Sequence, residues 1–409
     1  MRPDCDAVIV GAGPAGSSAA ILLAQAGWSV ALVEQHAFPR RKVCGECIAA
    51  TNLPLLDALG VGAAFDAVAG PPLERVAVLW GEQAVEAALP AQPHAVHRFG
   101  RALGRETLDT LLLERARALG VRVLQPLAAR SVARVASGLW RCEAGAPRGP
   151  AVALHAPVVV AAHGSWGPVG RLDDSTQQPR RDADLFAFKA NFSSSRLAPG
   201  LLPVLAFAGG YGGMVLGDGG TLTLAGCVRR DALRAMREAA PGLAAAEAVE
   251  AHLRAACAGV RDALRGTRRE GAWLAVGPIR PGIRMPRRGG EVFRIGNAAG
   301  EAHPIIGEGM SMAMQSAWLL ARRLVRDRDA LMAGRGHAGT ARAHATAWRA
   351  AFAPRIRLAA ACAHLAMRPA AAGALMPLLR RYPAALAAAA RLAGKVDCAV
   401  DLDLELEPA

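Results

Sequence analysis

The chain has 409 residues, of which 53% are apolar and 20% charged, with a formal net charge of +14. This composition excludes a disordered chain and is long enough for two or three structural units around sizeable cores. The positive charge does not point to nucleic acid, because the only lysines are Lys42, Lys189 and Lys395 and the arginines are dispersed without interleaved aromatics.

Residues 7–10 form an apolar run that predicts a buried strand. Gly11, Gly13 and Gly16 follow at G-x-G-x-x-G spacing, enclosing Pro14 and Ala15. Residues 17–26 carry a helical pattern closed by Gly27, and a second apolar run, 28–33, ends in Glu34. This is a complete βαβ dinucleotide fingerprint. Gly11 permits the tight turn, Gly13 lets the backbone approach a pyrophosphate, and Gly16 lets helix and strands pack closely. The pyrophosphate is expected on the free N–H groups at the helix start. Glu34 is placed to accept both hydroxyls of an adenosine ribose.

A basic cluster, Arg40-Arg41-Lys42, comes next, suited to cofactor phosphates. It leads into Cys44-Gly45-Glu46-Cys47. Cys44 and Cys47 form the chain's single C-x-x-C among eight cysteines, so no zinc ribbon and no metal are expected. Two alternating runs around Gly81-Glu82 within 73–89 predict a hairpin, followed by His94 and His97 in a loop read as surface. A helix opens at Arg105 and ends at Gly120, and 121–124, 132–136 and 139–143 read as short strands. A buried strand, 158–162, leads into His163-Gly164-Ser165.

The character changes over 185–277. Residues 185–192 are strand-like, and 213–216 and 221–226 flank Gly217-Asp218-Gly219-Gly220 as a hairpin. Residues 232–264 are helical with a break at Pro241-Gly242. This stretch reads as an inserted sheet with helices. A strand at 292–296 then precedes the small-residue turn Asn297-Ala298-Ala299-Gly300. Pro304 through Gly307, Gly309 and Met310 opens a long helix reaching about Val325, whose exposed N–H groups are suited to stabilising negative charge on a reduced flavin ring. From about Arg342 the tail is rich in Ala and Arg, with breaks at Pro369, Pro377 and Pro383. It is read as helices packed on the body, with a membrane surface or an apolar channel roof as the alternative. No stretch reads as a transmembrane helix, because uncharged runs such as 197–217 are broken by Pro and Gly pairs. Met1-Arg2-Pro3-Asp4 leaves no room for a secretory leader, so the expected location is cytoplasmic, with peripheral membrane contact through the tail as the alternative.

These motifs together resemble flavin-dependent enzymes of the para-hydroxybenzoate hydroxylase fold, in particular the geranylgeranyl reductase-like branch, which is itself similar to flavin-dependent halogenases. The resemblance rests on four stretches: Gly11, Gly13, Gly16 and Glu34; Arg105-x-x-Leu108-Asp109; Gly296-Asn297-Ala298-Ala299 with Pro304, Gly307 and Gly309; and Arg41-x-Val43-Cys44-Gly45-Glu46. It implies an α/β fold: a Rossmann-like FAD-binding domain, an inserted substrate-binding β-sheet domain and a C-terminal helical tail. The implied FAD-binding parts are 1–72, 99–182 and 278–335. Residues 73–98 supply a hairpin to the substrate sheet, 183–277 form the substrate domain, and 336–409 form the terminal helices.

The resemblance further implies that Arg105 lies against the cofactor, that Gly307, Gly309 and Met310 face the flavin ring through backbone groups, and that Cys44 and Glu46 flank the substrate side. The sequence departs from the family at His163, where Asp is usual, and at Asn297, which keeps a hydrogen bond to a ribityl hydroxyl but carries no charge. The prenyl reductases' Tyr-x-Trp-x-Phe-Pro is reduced to Tyr211-Gly212-Gly213, and the halogenases' Trp-x-Trp-x-Ile-Pro is absent. The expected activity is therefore FAD-dependent oxidation driven by NAD(P)H. Hydroxylation of an apolar aromatic or unsaturated small molecule leads, with carbon–carbon double-bond reduction, or flavin electron transfer at a membrane, as alternatives. No second G-x-G-x-x-G is present, so the nicotinamide has no Rossmann domain of its own.

Overall fold

The computed structural model describes residues 2–92, 96–146, 148–165, 179–287, 290 and 292–393. His94, the end of the predicted tail, 394–409, and much of the stretch after Ser165 lie outside the described residues.

A five-stranded parallel sheet is built from Phe293–Arg294, Val158–Ala161, Ala7–Val10, Val30–Val33 and Arg122–Leu124, in that order. Alternation along the first strand explains the layers on either side. Ala7 and Ile9 face helices Pro14–Gln25, Arg105–Ala118 and Gly309–Arg326, while Val8 and Val10 face the other way. There they meet Trp140, Cys142 and Leu154 of a three-stranded antiparallel sheet, Ala128–Arg134, Trp140–Gly145 and Ala151–Ala156. The two faces of the parallel sheet are thus covered, as a strand made only of apolar residues requires.

The turn after the first strand needs glycine twice. Gly11 has φ +103° and a side chain there would meet the Ala162 carbonyl at 2.5 Å. At Gly16 an added carbon would lie 1.8 Å from the Gly11 carbonyl oxygen.

The second layer system is a seven-stranded sheet. Its order is Arg268–Ile279, Leu185–Ser193, Leu222–Arg229, Gly210–Leu216, Leu201–Phe207, Arg75–Trp80 and Gln83–Ala88. The hairpin expected from 73–89 therefore docks onto the same sheet as the strands of 185–279. One face carries Phe188, Phe192, Leu205, Phe207, Met214 and Leu224 against helices Arg230–Ala239, Ala245–Ala256 and Ala258–Ala263. The other face carries Leu185, Ala187, Tyr211 and Cys227, which meet Ala363 and Met367 from the tail. Three tail helices, His337–Ala366, Pro369–Arg381 and Ala384–Leu392, complete the described chain.

Three strands depart from the sequence reading, each for a local reason. Leu201–Phe207 contains Pro203, which argues against a central strand. Its antiparallel ladder with Gly210–Leu216 starts only at Val204, so no bond of that ladder is lost. Arg268–Ile279 is an edge strand of largely exposed, charged and Gly-containing sequence with no apolar alternation. Ala151–Ala156 pairs with Trp140–Gly145, and its short run carries only weak apolar alternation despite the Pro- and Gly-containing sequence before it. The break expected at Pro241-Gly242 is present between the first and second helices of the inserted unit.

The helix His337–Ala366 is pinned to the parallel sheet by buried His344, whose Nε2 lies 3.0 Å from the Arg294 carbonyl. Burial pushes His344 down to about 4, against which the carbonyl works only in part. The unfolded chain takes up this proton near its ordinary 6.5. Stability is therefore present above that value and is lost as pH falls toward 4. Between about pH 7 and about pH 5 this one ring is expected to remove about 2 kcal/mol. Urea unfolding of the wild type and of His344→Gln at both pH values should show that the variant lacks this part of the pH dependence.

Candidate functional site

One cavity of about 1370 Å³ runs from the parallel-sheet turn to the tail helices. It is larger than an ordinary small-molecule pocket and has room for a dinucleotide together with a substrate. Of the residues singled out from the sequence, Gly11, Gly13, Pro14, Ala15, Glu34, Arg41, Cys44, Glu46, Arg105, Gly296, Asn297, Pro304, Gly307, Gly309 and Met310 all line it. Gly16 and Ala298 do not. Gly16 packs against Gly11 and Ala162, and Ala298 is buried between the two sheets of the parallel-sheet unit.

At the turn, the helix Pro14–Gln25 starts with Gly13 as its cap and no side chain bonded to its first N–H groups. A carbon added to Gly13 would meet only the Arg105 guanidinium, at 3.7 Å, so the backbone is open to an approaching anion. Glu34 is buried and accepts the N–H of Ala12 and of His36, each at 2.9 Å. One bond per oxygen leaves each with acceptor capacity for a hydroxyl. Arg105 forms a bidentate pair with fully buried Asp109, both bonds at 2.7 Å. Arg40 reaches the same carboxylate at 3.7 Å and Glu34 at 3.9 Å. Burial alone would make Arg105 a weaker base, but Asp109 outweighs it and holds the guanidinium above its ordinary value.

The basic loop divides its tasks. Arg41 turns toward the second sheet, donating to Asn191 Oδ1 at 2.9 Å and to the Ala272 carbonyl. Lys42, which the sequence offered only as part of a cluster, lines the cavity next to Gly164 with no ion pair among the described residues. Burial, then repulsion from Arg105 and Arg40, lowers it to about 8. It is the cavity's readiest partner for an anion.

Glu46, expected on the substrate side of the cofactor, lines the cavity and also acts as a clamp between the two units. It has φ +59°, a strained conformation for a residue with a side chain, and it is buried. Its carboxylate accepts the Arg105 N–H at 2.9 Å and the Thr223 hydroxyl at 2.5 Å, and it forms a buried ion pair with Lys189. Asp218 adds to the same helix end, accepting the Gly104 N–H at 3.0 Å and the Thr107 hydroxyl at 2.8 Å. Helix Arg105–Ala118 has no capping side chain of its own at Gly104. Two carboxylates from distant segments, one of them from the substrate sheet, supply the cap instead. Cys44 accepts the Glu46 N–H at 3.4 Å, and neither Cys44 nor Cys47 is in a disulfide.

At the other end of the parallel sheet, Gly296 has φ +56° and gives its N–H to Ser316, which also binds the Trp348 indole. Asn297 donates to Ser165, Ser165 to Glu301, and Glu301 pairs with Arg284. One of the two amide hydrogens of Asn297 is thereby given to the protein.

The remaining wall belongs to the seven-stranded sheet. Ala187, Val204, Ala206, Gly213 and Ala225 face the cavity, and these small side chains make its floor broad and apolar. Tyr211 and Cys227 interrupt it. The Tyr211 hydroxyl lies 3.0 Å from His303 Nδ1, and His303 stacks edge-on to the exposed ring of His364, 5.8 Å away. Burial pushes Tyr211 well above its ordinary value, and burial with His364 pushes His303 down to about 4. The pair is neutral at pH 7. Tyr211 and Lys189 were not legible as site residues, since their partners lie 92 and 143 positions away. Among the described residues no group of three or more His, Cys, Asp or Glu is placed to hold a metal.

A family model for the FAD binding domain matches residues 4–342. Menaquinone reductase of Mycobacterium tuberculosis is 36% identical over 129 residues, a segment making up 31% of this chain and 30% of that protein. The myxobacterial chondrochloren halogenase CndH superposes with a TM-score of 0.75 at 19% identity, covering 95% of this chain and 91% of that one. P. aeruginosa PqsL, in complex with 2-aminobenzoylacetate, superposes with a TM-score of 0.66 at 20% identity, covering 90% of this chain and 98% of that one. At these identities the structural likenesses speak for the fold.

Removing one partner of a buried ion pair leaves an uncompensated charge, which typically costs about 3–5 kcal/mol. Lys189→Met should lower the denaturant midpoint accordingly, and Lys189→Met combined with Glu46→Gln should recover part of the loss. Equal stability of Lys189→Met and wild type would show that the pair does not hold the two units together.

Proposed function

This chain belongs to the FAD binding domain family, and from that premise we propose that it is an NAD(P)H-driven FAD monooxygenase hydroxylating an apolar aromatic or unsaturated small molecule. The observation that carries the reading is the continuity of the cavity. It passes from the dinucleotide turn at Gly11–Ala15 to a floor of small apolar side chains with a single hydroxyl, that of Tyr211. FAD fits the near end: an open helix start at Gly13, acceptor capacity on Glu34, and cations at Lys42 and Arg105.

FAD held by the Gly13 helix start, Glu34, Lys42 and Arg105 would supply the hydride and electron chemistry of the reaction. The chain's own residues have four tasks. The backbone at Gly309 and Met310, at the start of an 18-residue helix, offers N–H groups to negative charge on the ring, whereas Gly307, expected to do the same, gives its N–H to the Pro304 carbonyl. Lys42 and Arg105 hold anionic groups. Ala187, Ala225 and Gly213 admit a flat apolar substrate and exclude water. Tyr211, with His303 and His364 behind it, carries a proton between the cavity and solvent. Overall, substrate C–H, dioxygen, NAD(P)H and one proton give the hydroxylated product, NAD(P)⁺ and water.

A second reading is supported by the menaquinone reductase match, namely reduction of a carbon–carbon double bond in an apolar quinone-like molecule. The two differ in where product oxygen comes from. The purified protein would be supplied with NADH or NADPH, isotopically labelled dioxygen, and a panel of alkylphenols, indoles and quinones. Label in the product, with nicotinamide consumption stimulated by substrate, is the expected result. Turnover that persists without dioxygen and saturates a double bond would overturn the oxygenase and establish the reductase. Tyr211→Phe should lower kcat about 10- to 100-fold with KM little changed.

A further inference from the structure

The tail helices concentrate exposed apolar surface on one side of the molecule. Of nine large apolar side chains exposed among the described residues, five lie between Leu365 and Leu392. Leu375 and Leu378 lie one turn apart on helix Pro369–Arg381 and Tyr382 follows at its C-cap, a stripe in which Leu378 is 52% and Tyr382 57% exposed. Single exposed apolar residues are ordinary, but a contiguous stripe is not.

Two further observations say what covers it. The stripe borders an opening: Leu365, Leu375 and Leu392 are exposed and also line the cavity. The charge around it has one sign. Arg368, Arg380, Arg381 and Arg391 are exposed beside the stripe, and no Asp or Glu occurs between Asp329 and Asp397. Arg381 also stands over the Tyr382 ring, 5.7 Å from its centroid. The five acidic side chains that follow, from Asp397 to Glu407, lie outside the described residues.

We propose that this arginine-rimmed apolar stripe seats the protein on an anionic lipid bilayer, with the cavity mouth facing the acyl region so that an apolar substrate enters from the membrane. The entry route rests on the reading of the cavity as a site for an apolar substrate; the seating itself does not. Leucines and a tyrosine flanked by arginines, on a helix lying in the interface plane, are the composition such surfaces select. No single helix among the described residues is long and apolar enough to cross a bilayer. Helices His337–Ala366 and Pro369–Arg381 pass that test only as a pair bent by 101°, and the first of them buries one face, with Trp348, Phe352 and Ile356, in the protein's own core. The geometry therefore favours lying on the membrane over spanning it.

The test is co-sedimentation of the full-length FAD-loaded protein with vesicles of phosphatidylcholine alone and of phosphatidylcholine mixed with phosphatidylglycerol. The protein should bind the mixed vesicles at least tenfold better, and the advantage should shrink as salt is raised. Arg380→Glu with Arg381→Glu should abolish the preference for anionic lipid, and Leu378→Ser with Tyr382→Ser should weaken binding to both vesicles. None of these four side chains lines the cavity, so FAD content and NAD(P)H oxidation in lipid-free buffer should match wild type. Wild type that stays in the supernatant with both vesicles overturns the seating, and so does capture of the variants as strongly as wild type. A wild type that ignores vesicles but self-associates through Leu378 and Tyr382 assigns the stripe to a second copy instead. Loss of labelled-oxygen incorporation, with vesicle binding intact, would count against the monooxygenase reading and leave the seating standing.

Discussion

A buried carboxylate, that of Glu46, ties the two halves of the site together. Removing a charged group from water is costly, and the cost is met here by an ion pair to Lys189, a hydroxyl from Thr223 and an N–H from Arg105. Those three partners belong to two strands of the substrate sheet and to the start of a helix in the dinucleotide unit. One side chain thus fixes the relative position of the loop carrying Lys42 and Cys44, the helix carrying Arg105, and the cavity floor. The strained backbone at Glu46 persists because all three partners hold it in place. Asp218 repeats the device at the same helix end, reaching across from the hairpin loop.

The cofactor end of the cavity follows a complementary logic. Asp109, fully buried, is shared by Arg105 and Arg40, and Arg40 also approaches Glu34. Two carboxylates hold two guanidiniums in place, and Lys42 stays uncommitted to either. The cationic surplus is therefore aimed at the cavity, where the anionic part of a dinucleotide belongs. Further along, the polar lining gives way to Ala, Gly and Val, and Tyr211 and Cys227, which interrupt the floor, are held neutral by burial. The gradient from charged to apolar distinguishes the end that holds the cofactor from the end that admits substrate.

Much of this was legible in the sequence where local rules apply. The glycine spacing, the apolar runs at 7–10, 28–33 and 158–162, and the Pro-Gly opening of the last long helix each have a local physical cause, and the parallel sheet and its helices follow from them. Fifteen of the seventeen residues assigned from motifs line the one cavity. What sequence could not supply is pairing at long range. The partners of Glu46 lie 143 and 177 positions away, so its motif pointed to a place beside the substrate and gave no sign of the buried clamp. Tyr211 stood among glycines with no helical or catalytic pattern around it, and only the neighbouring strand and His303 give it a role. Pro203 and the charged edge strand hid two members of the substrate sheet: Pro203 is paired only on the side of Arg75–Trp80, and Arg268–Ile279 has a partner on one side only, so neither carries the pattern of a doubly paired strand.

The claim on which the rest depends is that this cavity carries FAD. The most direct measurement is the absorbance spectrum of the purified protein, followed by extraction of its cofactor and identification by mass. The account predicts a yellow protein with about one FAD per chain, released on denaturation. A folded, colourless protein that takes up NADH but no flavin would contradict it.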